Sequence, residues 1–347
     1  MDRRSLGRTG VKVSPLCLGA MMFGSWGNHD REEGIRIIHR ALDAGINFID
    51  TADVYSQGES EEIVGRALAG GRRDDVILAT KFNGAMGEDP NHRGNSRRWI
   101  IREVEASLRR LGTDWIDLYQ VHRPDPDTDI GDTLSALSDL VHAGKVRYIG
   151  SSTFPSSQIV EAQWVSAERG FERFACEQPP YSILSRAVEA DVLPTCRRYG
   201  IAVIPWSPLA SGWLSGGYRH GRELPQSRRA DRVGARFDMT DPANTRKLDA
   251  ADALASLADE IGMSLVELAL AWVINHPAVT AAIIGPRTME HLLSQLPAVE
   301  VGLDAAVLDR IDEIVPPGTT INPVDAGFQN PALAPAALRR VGGDGAA

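Results

Sequence analysis

Short β-type runs and longer helical runs take turns along most of this chain, and that alternation restricts the fold more than any other feature. Strand candidates are Pro15–Gly19, Asn47–Thr51, Val76–Lys81, Ile116–His122, Val146–Ser151, Ala175–Gln178, Ala202–Trp206 and Ala281–Gly285. Each is short, aliphatic or β-branched, and bounded by Gly, Pro or charge. Between them, Ser96 to Leu111 has the helical period: Ser96 can cap, and Ile100, Val104, Leu108 and Leu111 share a face. Helices are also expected over Leu134–Val141, ended by Gly144, and over Ala187–Tyr199, ended by Gly200. Eight βα units favour an α/β fold of the closed (β/α)8 TIM barrel type over an open doubly wound sheet. No Gly-x-Gly-x-x-Gly follows the first strand, which weakens the open-sheet alternative.

Three segments stand outside the repeat. Residues 1–14 read as an N-terminal β-hairpin, Arg3–Leu6 and Val11–Val13 joined by Gly7–Gly10, that could plug the barrel's bottom. Residues 215–244 are charged and Gly-containing, long enough for a lid or binding loop on the C-terminal face. Residues 299–347 read as a C-terminal helix and a Pro-, Gly- and Ala-rich tail that could wrap over the top or be partly disordered. With a barrel core over 15–298, the expectation is one domain spanning 1–347.

A net charge of −9 disfavours nucleic acid and anionic membrane as partners, because both need dense positive charge. Three scattered cysteines, Cys17, Cys176 and Cys196, make neither a disulfide framework nor a metal cluster, so no metal is expected. The basic N-terminus has no apolar region behind it, and Leu265–Ile274 is too short to span a bilayer. The reading is a cytoplasmic protein with a small-molecule partner, for which a homo-oligomer is compatible.

The chemistry gathers at strand ends. Phe48-Ile49-Asp50-Thr51-Ala52-Asp53-Val54-Tyr55, Leu78-Ala79-Thr80-Lys81 and Leu118-Tyr119-Gln120-Val121-His122 deliver an Asp, a Tyr, a Lys and a His. Side chains alternate faces along a strand, so Phe48 and Asp50 share one, as do Ile77, Ala79 and Lys81, and Leu118, Gln120 and His122. If those faces point inward, the charged groups crown the barrel's C-terminal end, where barrel active sites lie. Tyr55 follows in the loop and can bend back over the mouth. A phenol has a pKa of about 10, and a nearby ammonium lowers it. Asp50 could hold Lys81 charged, Tyr55 could then donate a proton to a carbonyl oxygen, and His122 could assist. A nicotinamide is the natural hydride source for such a site. Taken singly, each residue has a bland reading: turn residue, surface lysine, structural histidine, partly buried aromatic. Complementary groups on consecutive strand ends favour the chemical one.

These residues resemble the aldo-keto reductase superfamily. Phe48 to Tyr55 with Glu59-Ser60-Glu61 looks like its F-I-D-T-A-x-x-Y-G-x-S-E signature, and Leu111-Gly112-Thr113-Asp114-Trp115-Ile116-Asp117-Leu118-Tyr119-Gln120-Val121-His122 resembles its helix-three to strand-four segment. The likeness implies a catalytic tetrad of Asp50, Tyr55, Lys81 and His122. It implies NADPH as cofactor, with NADH the alternative. Ser152 and Gln178, with Asp50 nearby, would hold the carboxamide. Trp206 would stack on the nicotinamide, although an aromatic there also reads as a core residue. The backbone of Ser207 through Leu209, with Gly212 and Leu214, would line the pyrophosphate. Gly19 and Met21 would approach the cofactor after strand one, and Gly285, Arg287 and Gln295 would meet the adenosine end. Thr153 replaces the usual Asn after Ser152, Ser56-Gln57-Gly58 follows Tyr55 where Gly is usual, and Gly285-Pro286 stands where close homologues carry Lys. Trp206 to Gly212 and Gln178 to Ser182 look closer to the bacterial and potassium-channel β-subunit branch than to the mammalian aldose reductase branch.

The expected function is NAD(P)H-dependent reduction of an aldehyde or ketone, with a substrate pocket walled by Trp26, Tyr55, Phe82 and His122. Two alternatives stay open: an NADP(H)-binding redox-sensing partner protein like the channel β-subunits, and a Schiff-base lyase using Lys81.

Overall fold

The computed structural model describes residues 1–225, 230 and 232–328. The chain opens with an antiparallel hairpin, β1 (Arg4–Ser5) and β2 (Lys12–Val13). Eight parallel strands follow: β3 (Leu16–Gly19), β4 (Phe48–Asp50), β5 (Ile77–Phe82), β6 (Ile116–Val121), β7 (Val146–Ser152), β8 (Phe174–Gln178), β9 (Ala202–Val203) and β10 (Ala282–Ile284). From β3 to β9 each pairs with the next, and β10 returns to pair with β3. Across the remaining seam, Thr280 N donates to Val203 O at 2.8 Å and Ile283 N donates to Pro205 O at 2.9 Å. The cylinder is thereby closed: a (β/α)8 barrel, as the alternation predicts.

The helices are α1 (Arg31–Asp43), α2 (Glu59–Leu68), α3 (Arg97–Leu111), α4 (Ile130–His142), α5 (Ser156–Arg169), α6 (Val192–Tyr199), α7 (Pro242–Glu260), α8 (Leu265–Ile274), α9 (Met289–Gln295) and α10 (Ala305–Ile314). Their starts follow the expected chemistry, with Ser96 accepting from Trp99 N at the start of α3. Asp129 caps α4 earlier than the hydrophobic pattern suggests, and Gly144 closes its turn at φ 73°. The expected helix over Ala187–Tyr199 is instead a 3-10 turn, Ala187–Glu189, followed by α6. Pro194 explains the break. It lacks the N–H that a continuous helix would donate to Ala190, so it is tolerated only in a first turn.

Strand parity makes two apolar layers. Leu16, Leu18, Ile49, Leu78, Tyr119 and Val203 face the helices. Cys17, Phe48, Ala79, Leu118, Cys176, Ile204 and Ile283 fill the barrel. Leu6 and Val13 of the hairpin join that inner layer, both fully buried, so the hairpin does plug the bottom. Gly7 permits the approach: at φ 55°, a Cβ there would lie 2.8 Å from Gly200 O and 3.0 Å from Ala175 O. With the bottom sealed and the interior filled, access is left to the opposite rim. There residues 232–238 and 322–328 converge, Arg236 Nε lying 3.5 Å from Asp325 Oδ1. Gly327 is so close to Trp206 that a Cβ would fall 2.6 Å from its Cζ2. Positions 226–229 and 231 of the expected lid, and 329–347 of the expected tail, lie outside the described residues. No helix among the described residues is long and apolar enough to cross a membrane.

Candidate active site at the carboxyl end of the barrel

Inward parity carries Asp50, Lys81, Gln120 and Gln178 to one level above the apolar filling. Lys81 is fully buried, and its ammonium donates to three acceptors: Asp50 Oδ1 at 2.6 Å, Thr51 O at 2.8 Å and the Tyr55 hydroxyl at 3.2 Å. Three N–H groups meet three oxygens, so the charge is satisfied without water. Burial alone would lower the Lys81 pKa, but Asp50 and Tyr55 outweigh it and hold the ammonium above the ordinary lysine value. Asp50 Oδ2 in turn accepts from Gln178 Nε2 at 2.9 Å and from Gln120 Nε2 at 3.2 Å.

The loop after β4 brings Tyr55 over this floor. Tyr55 N donates to Ala52 O at 3.2 Å, and Ser56, Gln57 and Gly58 then take positive φ values of 50°, 55° and 93° before α2 begins. Ser56 is strained where glycine would be free. A left-handed residue costs roughly 1–2 kcal/mol. Two hydrogen bonds offset it, each contributing about 1 kcal/mol: Ser56 Oγ donates to Phe23 O at 3.3 Å and accepts from Trp26 N at 3.0 Å. This clamp fastens the Trp26 loop beside Tyr55, with ring centroids 5.9 Å apart. His122 meets Tyr55 edge-on from the other side at 5.7 Å. Burial, then Arg123 and Lys81, push the His122 pKa well below its ordinary value, so its imidazole is neutral.

Phe82 lies elsewhere. It follows inward-facing Lys81, so parity turns it outward, where it is fully buried in the helix-facing core against Tyr119. The sequence-based placement of Phe82 in the substrate wall is therefore corrected. Trp26, Tyr55 and His122 do share the mouth.

The residues expected to hold a dinucleotide fall at the ends of β3, β7 and β8, in the segments after β9 and β10, and in α9. Ser152 is fully buried and donates to Gln178 O at 2.9 Å. Thr153, in the usual Asn position, sits at φ 61° and accepts from Trp206 Nε1 at 3.3 Å, so its hydroxyl orients the indole. Ser207, Ala210, Ser211 and Gly212 all have positive φ, a backbone habit that forms anion-binding concavities. Leu214 is fully buried in the core, which leaves only its backbone for such a contact, while Leu209 packs on that core half-exposed. Gly19 has a second reason to be glycine, since a Cβ would meet Ile283 Cγ2 at 2.7 Å. Met21 is half-buried at the rim and Gly285 is exposed. Arg287 is tied down by its carbonyl, which accepts from Asn28 Nδ2 at 3.0 Å. Gln295 is buried, and its Oε1 has no hydrogen-bond partner among the described residues. A buried carboxamide oxygen left without a partner can accept from an adenine amino group, so Gln295 is compatible with the adenosine end of a dinucleotide.

Sequence reasoning gave no role to Gln120, Arg123 or Arg236, and none to the Thr153 contact with Trp206. Gln120 shares the inward face with His122, and that parity could have found it. Thr153, Arg123 and Arg236 come from loops, whose geometry no periodicity reports. Among the described residues no group of His, Cys, Asp and Glu could hold a metal ion.

Comparison with known proteins agrees with this fold. The sequence model of the Aldo/keto reductase family matches residues 15–316. An uncharacterized oxidoreductase of Bacillus subtilis is 40% identical over 327 residues, covering 91% of this chain and 96% of its own. A probable voltage-gated potassium channel subunit beta of Oryza sativa is 36% identical over 326 residues, covering 91% and 97%. Versiconal hemiacetal acetate reductase of Aspergillus parasiticus is 33% identical over 339 residues, covering 90% and 96%.

Proposed function

This chain belongs to the aldo/keto reductase family, and on that premise we propose that it reduces an aldehyde or ketone to the alcohol, with NADPH as reductant and Tyr55 as the proton donor. The observation that carries the reading is the buried ammonium of Lys81 donating to the Tyr55 hydroxyl at 3.2 Å while Asp50 anchors it at 2.6 Å. Lys81 stabilises the phenolate that remains when Tyr55 gives up its proton. Asp50, itself gripped by Gln120 and Gln178, keeps that charge in place. Neutral His122 supplies a polar edge beside the same hydroxyl, suited to orienting the carbonyl oxygen. A reduced nicotinamide bound over the rim supplies the hydride. Ser152, Gln178 and Trp206 would hold its ring end, the 207–214 backbone its pyrophosphate, and Arg287 and Gln295 its adenosine end. Arg287 supports NADPH over NADH, because its charge suits an added phosphate.

The Schiff-base alternative is disfavoured by the same contacts. A nucleophilic lysine needs a free lone pair and a depressed pKa, whereas Lys81 is charged and committed to three acceptors. The likeness to the rice channel subunit keeps a regulatory, cofactor-sensing role as a second reading. Titration with NADPH and NADH, followed by a panel of carbonyl compounds read at the nicotinamide absorbance, separates them. Turnover of an aldehyde supports the reductase. Tight cofactor binding with no turnover across the panel overturns it in favour of the sensor.

A further inference from the structure

The chain is acidic overall, with a net charge of −9, yet the rim around Trp206 is basic. Arg123 sits directly after His122. Its Nη1 donates to His122 O at 2.5 Å and reaches Ser152 Oγ at 3.4 Å, and its guanidinium lies 5.8 Å from the Trp206 ring centre. Arg236 approaches the same indole at 5.5 Å. Arg232 stacks over Trp26, the other aromatic of the mouth. Among the described residues no carboxylate lies within ion-pair distance of Arg123. Arg236 is close to Asp325 at 3.5 Å, but Lys247 holds that carboxylate more closely, at 2.8 Å.

Like charges set together and partly buried, with one carboxylate shared between Arg236 and Lys247 and none on Arg123 among the described residues, are unfavourable unless something anionic joins them. Burial lowers the pKa of Arg123, Tyr55 draws it back up, Arg236 lowers it further and Glu177 raises it. Glu177 does not serve as a partner to Arg123. It is fully buried, accepting from Ser151 Oγ at 2.5 Å, and burial lifts its carboxyl to about 7. The guanidinium has five N–H donors and, among the described residues, two are accounted for at most, so a planar fork remains for a bidentate anion.

We propose that Arg123 is a specificity-determining residue that binds an anionic group, a carboxylate or a similar oxyanion, on the carbonyl substrate, with Arg236 reinforcing it across Trp206. The inference rests on the reductase reading for the word substrate, but the anion site itself does not depend on turnover. The position argues for substrate over cofactor: Arg123 adjoins His122 and Ser152 at the ring end of the rim, whereas the positive-φ backbone suited to pyrophosphate is at 207–212. An aromatic body packed against the Trp26 and Tyr55 rings, with a carboxylate on Arg123, would suit both features. A basic funnel in an acidic protein would also raise the local concentration of such a substrate.

Calorimetric titration of benzoate and of benzamide into the NADP-saturated protein tests this, because the two probes differ in charge and little else. The expected result is benzoate bound about ten- to a hundredfold tighter than benzamide. Arg123→Gln should abolish that difference and Arg123→Lys should keep part of it, while NADPH affinity in both changes by less than about threefold. Equal binding of the two probes by the unaltered protein overturns the proposal. So does an Arg123→Gln variant whose NADPH affinity falls as far as its benzoate affinity, which would assign the guanidinium to a cofactor phosphate. A protein that selects benzoate through Arg123 but reduces no aldehyde would end the reductase reading and leave the anion site standing.

Discussion

At the scale of single residues, protonation is decided by how completely each buried charge is met. Lys81 is charged because three oxygens surround it, and His122 is neutral because burial and two cations oppose its protonation. The pH profile of kcat/KM for carbonyl reduction should therefore lack a limb near the ordinary histidine value. A limb there that disappears in His122→Gln would contradict the assignment. Glu177 gives a second pH dependence, this time of stability. Burial lifts its carboxyl to about 7, against the pull of Ser151 and backbone N–H groups. Between the ordinary carboxylate value and 7 the folded state binds the extra proton, so stability falls as pH rises through that window. Linkage makes the fall roughly 3 kcal/mol from this group. Urea unfolding from pH 5 to 8 should show the slope in the natural protein, and Glu177→Gln should lack that component. Identical slopes would contradict the burial argument. The tetrad was legible in the sequence because strand parity and one loop bring its members together. Arg123 and Ser56 were not, since their roles depend on loop dihedrals and on a neighbour 30 residues away in the case of Ser56 and Trp26.

Among the elements, close backbone approaches matter more than local propensity. Gly65 lies within α2, where alanine would ordinarily favour the helix by about 1 kcal/mol. A Cβ there would fall 2.5 Å from Leu111 O and 2.8 Å from Arg110 O, backbone atoms at the end of α3. Overpacking costs about 1–3 kcal/mol and should win, so Gly65→Ala is expected to lower the unfolding midpoint while leaving cofactor affinity intact. A stabilised variant would show that α2 and α3 can separate at no cost. The hairpin makes a similar claim for the bottom of the barrel. Leu6 is fully buried among the inward-facing residues, and Leu6→Ala should destabilise by about 2–5 kcal/mol in denaturant unfolding. An effect below about 1 kcal/mol would mean that the plug is not part of the core. All eight strands were readable from aliphatic runs and their boundaries. The helix expected over Ala187–Tyr199 was misjudged because hydrophobic period continues through a proline that hydrogen bonding does not tolerate there.

For the whole molecule, closure of the sheet is what turns scattered sequence positions into a site. β4, β5, β6 and β8 each place one inward polar side chain at the same rim, and the hairpin seals the opposite end. Fold and strand parity bring the candidate catalytic groups to one rim, while the loops that would choose a substrate carry no periodic signal. The account depends on Tyr55 as an acid primed by Lys81, and replacing it by phenylalanine removes one oxygen and leaves the Lys81–Asp50 pair in place. The decisive measurement is kcat/KM for 4-nitrobenzaldehyde in Tyr55→Phe, taken together with NADPH affinity by fluorescence titration. The account predicts NADPH binding within about threefold of the natural protein and turnover lower by at least about 10²-fold. Undiminished turnover in that variant would contradict it.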